Sequence, residues 1–230
     1  MLLDRVGEVE TYPFPHVVIQ NALPSDYYAE LVKHQPVEEI FRSVGAGENQ
    51  RVDIPTNIAT SSLHPIWNDF CAKHVSKEWW RKVWSVFGVE IEKRYLLRKK
   101  PRVGEGLSLR CQPGVNTPTE QISKVRGPHL DNPTELFAGL FYMAQDDDGG
   151  DLEIYKAKGE LKFHGKLEVE ESCVELVKTV KYRPNTFLLF LNTIDSLHGV
   201  TPRKSKAYRR LVNVVGDMNY PLFTVGHNGF

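Results

Sequence analysis

From position 107 onward the chain is cut into apolar runs of strand length, and this limits what it can fold into. The runs 107–111, 136–144, 151–155, 174–180, 186–191 and 208–215 are separated by clusters of Gly, Pro and Asp. Many short strands with turn signals between them predict an all-β sandwich or barrel.

The first hundred residues have a different texture. Tyr12-Pro13-Phe14-Pro15-His16-Val17-Val18-Ile19 reads as an extended lead-in to a short β-branched strand. Pro24-Ser25-Asp26 then supplies helix-start residues, and Tyr27, Tyr28, Leu31 and Val32 recur at helical spacing until Gln35-Pro36 stops the helix. The polar segment 41–60 reads as a long loop, either passive or reaching over a site. Between 62 and 87 two helical patches follow, the second with Trp80, Val83, Trp84 and Phe87 on one stripe. Aromatics so arranged cover a sheet and need no cofactor to explain them. A basic stretch, 93–102, reads as a solvated edge, with an anionic partner as its alternative. No linker or internal repeat divides the chain. We therefore expect one domain, 1–230, with N-terminal helical support over about 1–105 and a β-core over about 106–230.

Composition excludes several classes. Twenty-nine basic residues balance 29 acidic ones, so no nucleic-acid or anionic-membrane partner is expected. There is no apolar run long enough to span a bilayer and no secretory leader pattern, and the expected location is cytoplasmic. Three scattered cysteines, Cys71, Cys111 and Cys173, suit a reducing compartment and read as buried thiols.

Chemistry concentrates in Gly127-Pro128-His129-Leu130-Asp131-Asn132-Pro133. On an extended chain alternate side chains share a face, so His129 and Asp131 can reach one ion while Leu130 turns away. His198, far downstream after the run 186–191, can join them only if the fold brings it back, as a jelly roll does. Two imidazoles and one carboxylate with open positions suit a non-heme Fe(II) site. Asn132-Pro133 reads as a turn, and Asp146-Asp147-Asp148 as an acidic hairpin tip without the spacing of a calcium loop. The histidines at 16, 34, 64, 74, 164 and 227 read as surface or core residues.

His129-x-Asp131, then Gly149-Gly150-Asp151-Leu152, then an apolar strand into His198-Gly199-Val200-Thr201-Pro202, then Arg209 opening a last strand, together resemble the iron(II)- and 2-oxoglutarate-dependent oxygenases of the prolyl-4-hydroxylase-like branch. The resemblance implies a mainly β fold with flanking helices, a double-stranded β-helix of the jelly-roll, cupin-like kind. It implies Fe(II) held by His129, Asp131 and His198, with 2-oxoglutarate and O2 as cosubstrates and ascorbate as a reductant. The activity implied is hydroxylation of a C–H bond with release of succinate and CO2, because halogenating relatives lack the carboxylate that Asp131 provides. The substrate stays open among a small molecule, a sugar and a peptidyl residue, as does the oligomeric state. A basic residue past the distal His would anchor the 5-carboxylate of 2-oxoglutarate. Arg209 and Arg210 both stand there, and strand alternation favours Arg209, which shares its face with Asn213. Tyr142 is a further candidate contact to the cosubstrate. A cupin-like jelly roll that binds metal or ligand without redox chemistry is the alternative reading, and a peptide-binding module is a third.

Overall fold

The computed structural model describes residues 1–42, 46–54, 63–95, 100–144 and 149–225. After β1 (His16–Ile19) come α1 (Ser25–Lys33), α2 (Glu38–Arg42), β2 (Arg51–Asp53), α3 (Pro65–His74) and α4 (Lys77–Tyr95). The remaining elements are strands: β3 (Arg102–Val103), β4 (Gly106–Asn116), β5 (Thr119–Ser123), β6 (Glu135–Tyr142), β7 (Leu152–Ala157), β8 (Val174–Val180), β9 (Thr186–Leu191), β10 (His198–Val200), β11 (Arg203–Ser205) and β12 (Arg209–Met218). A 3-10 turn, Glu171–Cys173, precedes β8.

The major sheet runs β1-β9-β6-β12-β4-β2, with β3 beside β4. Facing it, β10-β7-β8 form a second sheet and β5 pairs with β11. His129 and His198 exchange backbone hydrogen bonds of 2.9 and 3.1 Å, and the Val200 N–H donates to the Arg126 carbonyl. The stretch from β5 to Asp131 therefore lies antiparallel to β10–β11 as one irregular ladder. Two mainly antiparallel sheets built from interleaved strands make this a jelly roll of the double-stranded β-helix kind.

The central strands β6 and β9 are largely apolar on both faces, as is the middle of β12, because each face has its own cover. Phe137, Phe141, Phe187, Leu189, Val212 and Val214 face the helices, whereas Ala138, Tyr142, Leu188, Phe190, Leu211 and Val215 face the second sheet. The helical cover is aromatic: Trp80 stacks on Phe137 at 6.3 Å, Trp79 lies 6.1 Å from Phe187, and Phe70 stacks on Phe141 at 5.9 Å. In α4 the buried stripe is Trp79, Trp80, Val83, Phe87 and Ile91. Trp84 sits on its flank, half-buried, with the Lys100 ammonium 4.5 Å from its ring.

The N-terminal segment does more than supply helices. β1 completes one edge of the major sheet against β9, and β2 extends the other against β4. The segment read as a loop, 41–60, thus holds the end of α2 and all of β2, and 43–45 and 55–60 within it lie outside the described residues. So does the acidic stretch 146–148, along with 96–99 of the basic run, whose Lys93 and Arg94 close α4. Of the cysteines only Cys111 is buried; Cys71 and Cys173 are partly exposed. Among the described residues no helix is long and apolar enough to cross a membrane.

One buried histidine ties the N-terminus to the helices. His74 accepts the Leu2 N–H on Nε2 at 3.1 Å, and its Nδ1 donates to the Phe70 carbonyl at 2.7 Å. Burial pushes its pKa down from 6.5 to about 4. The unfolded chain therefore binds the extra proton first, so His74's contribution to stability is complete above about pH 6.5 and is lost as pH falls toward 4. Between pH 7 and pH 5 this amounts to about 2 kcal/mol. Urea unfolding should show that loss, and a His74→Leu variant should show a flatter dependence; equal slopes in both proteins would remove His74 as the cause.

Candidate metal centre and cosubstrate cavity

Backbone pairing, rather than the side chains, brings the three candidate ligands together. Because His129 and His198 exchange main-chain hydrogen bonds, their rings emerge on the same side, with centroids 4.2 Å apart. His129 Nδ1 donates to the Gly127 carbonyl at 2.7 Å and His198 Nδ1 to the Ser196 carbonyl at 2.8 Å. Each bond fixes the tautomer and leaves the Nε2 lone pair free for a metal. Asp131 Oδ1 lies 3.6 Å from His129 Nε2, and Oδ2 lies 3.6 Å from His198 Nε2. Such separations are too long for hydrogen bonds, and one ion can span them; the three ligand atoms all lie within 4.8 Å of one another.

The charge states suit the same purpose. Burial, with a lesser effect from His129, holds the His198 imidazole near 4 and therefore neutral. Burial pushes the Asp131 carboxyl up, yet His198, His129 and Arg126 outweigh it and hold it well below the ordinary carboxylate range. Leu130 turns away into a small core with Tyr155, Val169 and Leu197. Two turns support the ligands. Asn132 Oδ1 accepts from the N–H and hydroxyl of Thr134, and Ser196 Oγ accepts the Thr193 N–H while donating to Asn192.

The triad opens on a cavity of about 600 Å³ between the two sheets, which Asn116, Arg209 and Asn213 also line. Arg209 is 1 % exposed. Its Nη1 donates to Asn116 Oδ1 at 2.8 Å, and its guanidinium lies 4.7 Å from the Tyr182 ring and 5.1 Å from that of Tyr142. Its Nε and Nη2 have no partner, and neither has the Tyr142 hydroxyl. Buried donors left unpaired are costly, and Nε with Nη2 is the guanidinium edge that meets a carboxylate through two parallel hydrogen bonds. The residues present thus fit a dicarboxylate reaching from the triad toward β12.

Arg210 takes the other face of β12, outside the cavity. It donates to the Pro36 carbonyl at 3.1 Å, approaches Glu38 at 3.6 Å and lies over Phe41 and Tyr208. Among the remaining histidines, those at 16, 34, 64, 74 and 164 do not line the cavity, and His227 lies outside the described residues.

Several residues around the cavity escape sequence reasoning. Tyr182 and Asn116 frame Arg209 but sit in no recognisable spacing. Gly150 has a signal, the Gly149-Gly150 pair, whose reason is physical. Its φ is +79°, and a Cβ there would lie 2.7 Å from Arg209 Cδ and 2.8 Å from Nε. The position needs glycine both for its backbone and to seat the arginine.

Fold and site together define a double-stranded β-helix with an open His-Asp-His centre beside a buried guanidinium whose Nε/Nη2 edge is unpaired. Residues 121–215 match the family model of the 2OG-Fe(II) oxygenase superfamily, and the chain resembles the prolyl-4-hydroxylase-like branch of that superfamily. Among solved structures it is similar to prolyl 4-hydroxylase from Phytophthora capsici, with 18% identity and a TM-score of 0.53 over 89% of this chain and 59% of that one. It is also similar to a Pseudomonas putida prolyl-4-hydroxylase, with 15% identity and a TM-score of 0.50 over 89% of this chain and 93% of that one. The chain therefore spans less than two thirds of the Phytophthora capsici structure. No curated protein matches it in sequence.

Proposed function

We propose that this protein is an Fe(II)- and 2-oxoglutarate-dependent dioxygenase that hydroxylates a C–H bond of its substrate and releases succinate and CO2. The observation that carries the reading is the buried, unpartnered Nε/Nη2 edge of Arg209 in the same cavity as the triad. A metal site alone would suit many proteins, whereas a metal site beside a preorganised carboxylate receptor suits one that binds a keto-dicarboxylate.

In this reading His129, Asp131 and His198 hold Fe(II). The iron, when bound, supplies the activation of O2 that the side chains cannot. Arg209 and the Tyr142 hydroxyl bind the 5-carboxylate of 2-oxoglutarate, with Asn116 and Tyr182 fixing the guanidinium. Asn213, one inward position beyond Leu211, lines the same cavity. Phe190 and Leu140 close the walls and keep water from the reacting groups. Arg210 has no part in the cavity.

The test is succinate formation from 2-oxoglutarate with Fe(II) and ascorbate, followed with and without a panel of small molecules, sugars and peptides. We expect slow succinate release without substrate and faster release with the right one. A protein that binds Fe(II) but neither binds nor consumes 2-oxoglutarate would instead be a non-catalytic jelly-roll binder.

A further inference from the structure

The cavity opens along the seam where an added strand on each sheet forms a lip. On the major sheet the lip is β2, whose Arg51 pairs with Asn116 on β4, which in turn pairs with Arg209 on β12. On the opposite sheet it is a tight hairpin. His164 and Glu168 exchange backbone hydrogen bonds around Gly165, and Leu167 holds a φ of +61°. The hairpin docks on the metal-ligand strand: the Leu130 N–H donates to the Leu167 carbonyl and the Val169 N–H to the Pro128 carbonyl. A bulky residue held at positive φ costs roughly 1 kcal/mol or more. Here it aims Lys166 and Glu168 at the cavity, which both line together with Arg51 and Asp53.

Each lip carries a cation and an anion two residues apart, and the anions are already engaged. Asp53 Oδ1 accepts from Arg51 Nε at 2.6 Å, Glu168 lies 3.6 Å from Arg126, and deeper in the cavity Glu135 is held by Arg110 at 3.2 Å. The cations retain capacity. Arg51 Nη2 is buried without a partner, and among the described residues Lys166 makes no ion pair. Gly114 lets the Arg51–Asp53 pair lie flat on the sheet, because a Cβ there would collide with Asp53 and approach Arg51 Nε at 3.2 Å.

We propose that Arg51 and Lys166 bind an anionic group, carboxylate or phosphate, of the substrate whose C–H bond is oxidised. This rests on the dioxygenase reading, in which Arg209 is already committed to 2-oxoglutarate. Asp53 positions Arg51 by fixing its Nε and leaving Nη2 for the ligand. The substrate class is thus an acid or phosphate ester whose anionic group sits at the mouth of the cavity, between the two lips.

The test uses acetate and inorganic phosphate as probes, with chloride at matched ionic strength as reference. Protein carrying Zn(II) as a redox-inert stand-in and saturating 2-oxoglutarate is melted in each salt. We expect one anion, at about ten times its Kd, to raise Tm by about 2 °C or more over chloride. Preference for acetate or for phosphate then assigns the group. Arg51→Gln and Lys166→Gln should each weaken that anion by about tenfold, with Arg51→Lys partly restoring it. Calorimetry of 2-oxoglutarate into the same Zn(II) proteins should give affinities within about twofold for parent and Arg51→Gln. The proposal is overturned if neither anion exceeds chloride, if both Gln variants respond like the parent, or if Arg51→Gln weakens 2-oxoglutarate as much as Arg209→Ala does. Failure of the parent to bind 2-oxoglutarate at all would instead sink the dioxygenase reading, and the anion response of the Zn(II) protein alone would still be measurable.

Discussion

Replacing His198 by alanine should abolish Fe(II)-dependent succinate formation while leaving the fold intact. The expected loss exceeds about 100-fold, beyond what partners of metal ligands typically cost when they are removed. The fold should survive because His129 and His198 are joined through their main chains at 2.9 and 3.1 Å, and that pairing does not use the imidazole. Asp131→Gly should weaken iron binding and lose hydroxylation, since it removes the carboxylate whose two oxygens face the two imidazoles. Circular dichroism establishes the fold, and metal titration with succinate release reads the site. Turnover by His198→Ala equal to the parent's would show that the triad is not the reaction centre.

The second large effect distinguishes two neighbouring arginines. A charge-assisted bidentate pair with a carboxylate contributes roughly 2–3 kcal/mol, so Arg209→Ala should raise the KM for 2-oxoglutarate about thirty- to a hundred-fold. Stability should suffer less than for most buried truncations, because the side chain removed carries two unpaired donors. Arg210→Ala loses a bond to the Pro36 carbonyl and a 3.6 Å ion pair with Glu38, at a cost of about 1 kcal/mol or less and with little change in KM. Comparable KM values for Arg209→Ala and the parent would remove the cosubstrate assignment.

What could be read from the sequence follows from how local the signals are. The runs around Phe137, Val174 and Phe187 became strands at nearly the expected limits because each is rich in β-branched, aromatic or other apolar residues. β10 and β11, three residues each, are too short to carry a pattern, and their pairing with the segment after β5 is a long-range event. β2 was hidden for the same reason: Arg51-Val52-Asp53 is polar at two of three positions, because its inner face meets a cavity rather than a core. In α4 the periodicity was plain, but its phase shifted, with Trp79 and Ile91 in the stripe and Trp84 on the flank.

At the site, the residues with a motif were legible and those without one were not. His129, Asp131 and His198 stand in an ordered set, and strand alternation was enough to separate Arg209 from Arg210. Tyr182 and Asn116 meet Arg209 only through the juxtaposition of β4, β12 and the turn after β8, which no spacing in one sequence encodes. Lys166 and Glu168 depend on a hairpin whose two residues at positive φ, Gly165 and Leu167, gave no conventional turn signature.

The main-chain ladder between His129 and His198 also bears on metal choice. A ligand set whose imidazoles are oriented by strand pairing owes that orientation to the fold, so in the dioxygenase reading metal loading would be uncoupled from folding and could not use folding to reject the wrong ion. With two nitrogens and one carboxylate, first-row affinity should rise from iron through cobalt and nickel to copper. In the dioxygenase reading, occupancy by iron would then be a matter of supply rather than discrimination: competing divalent ions would act as tight, redox-silent or misdirected occupants, and the cell's free-metal levels would set the fraction of working protein.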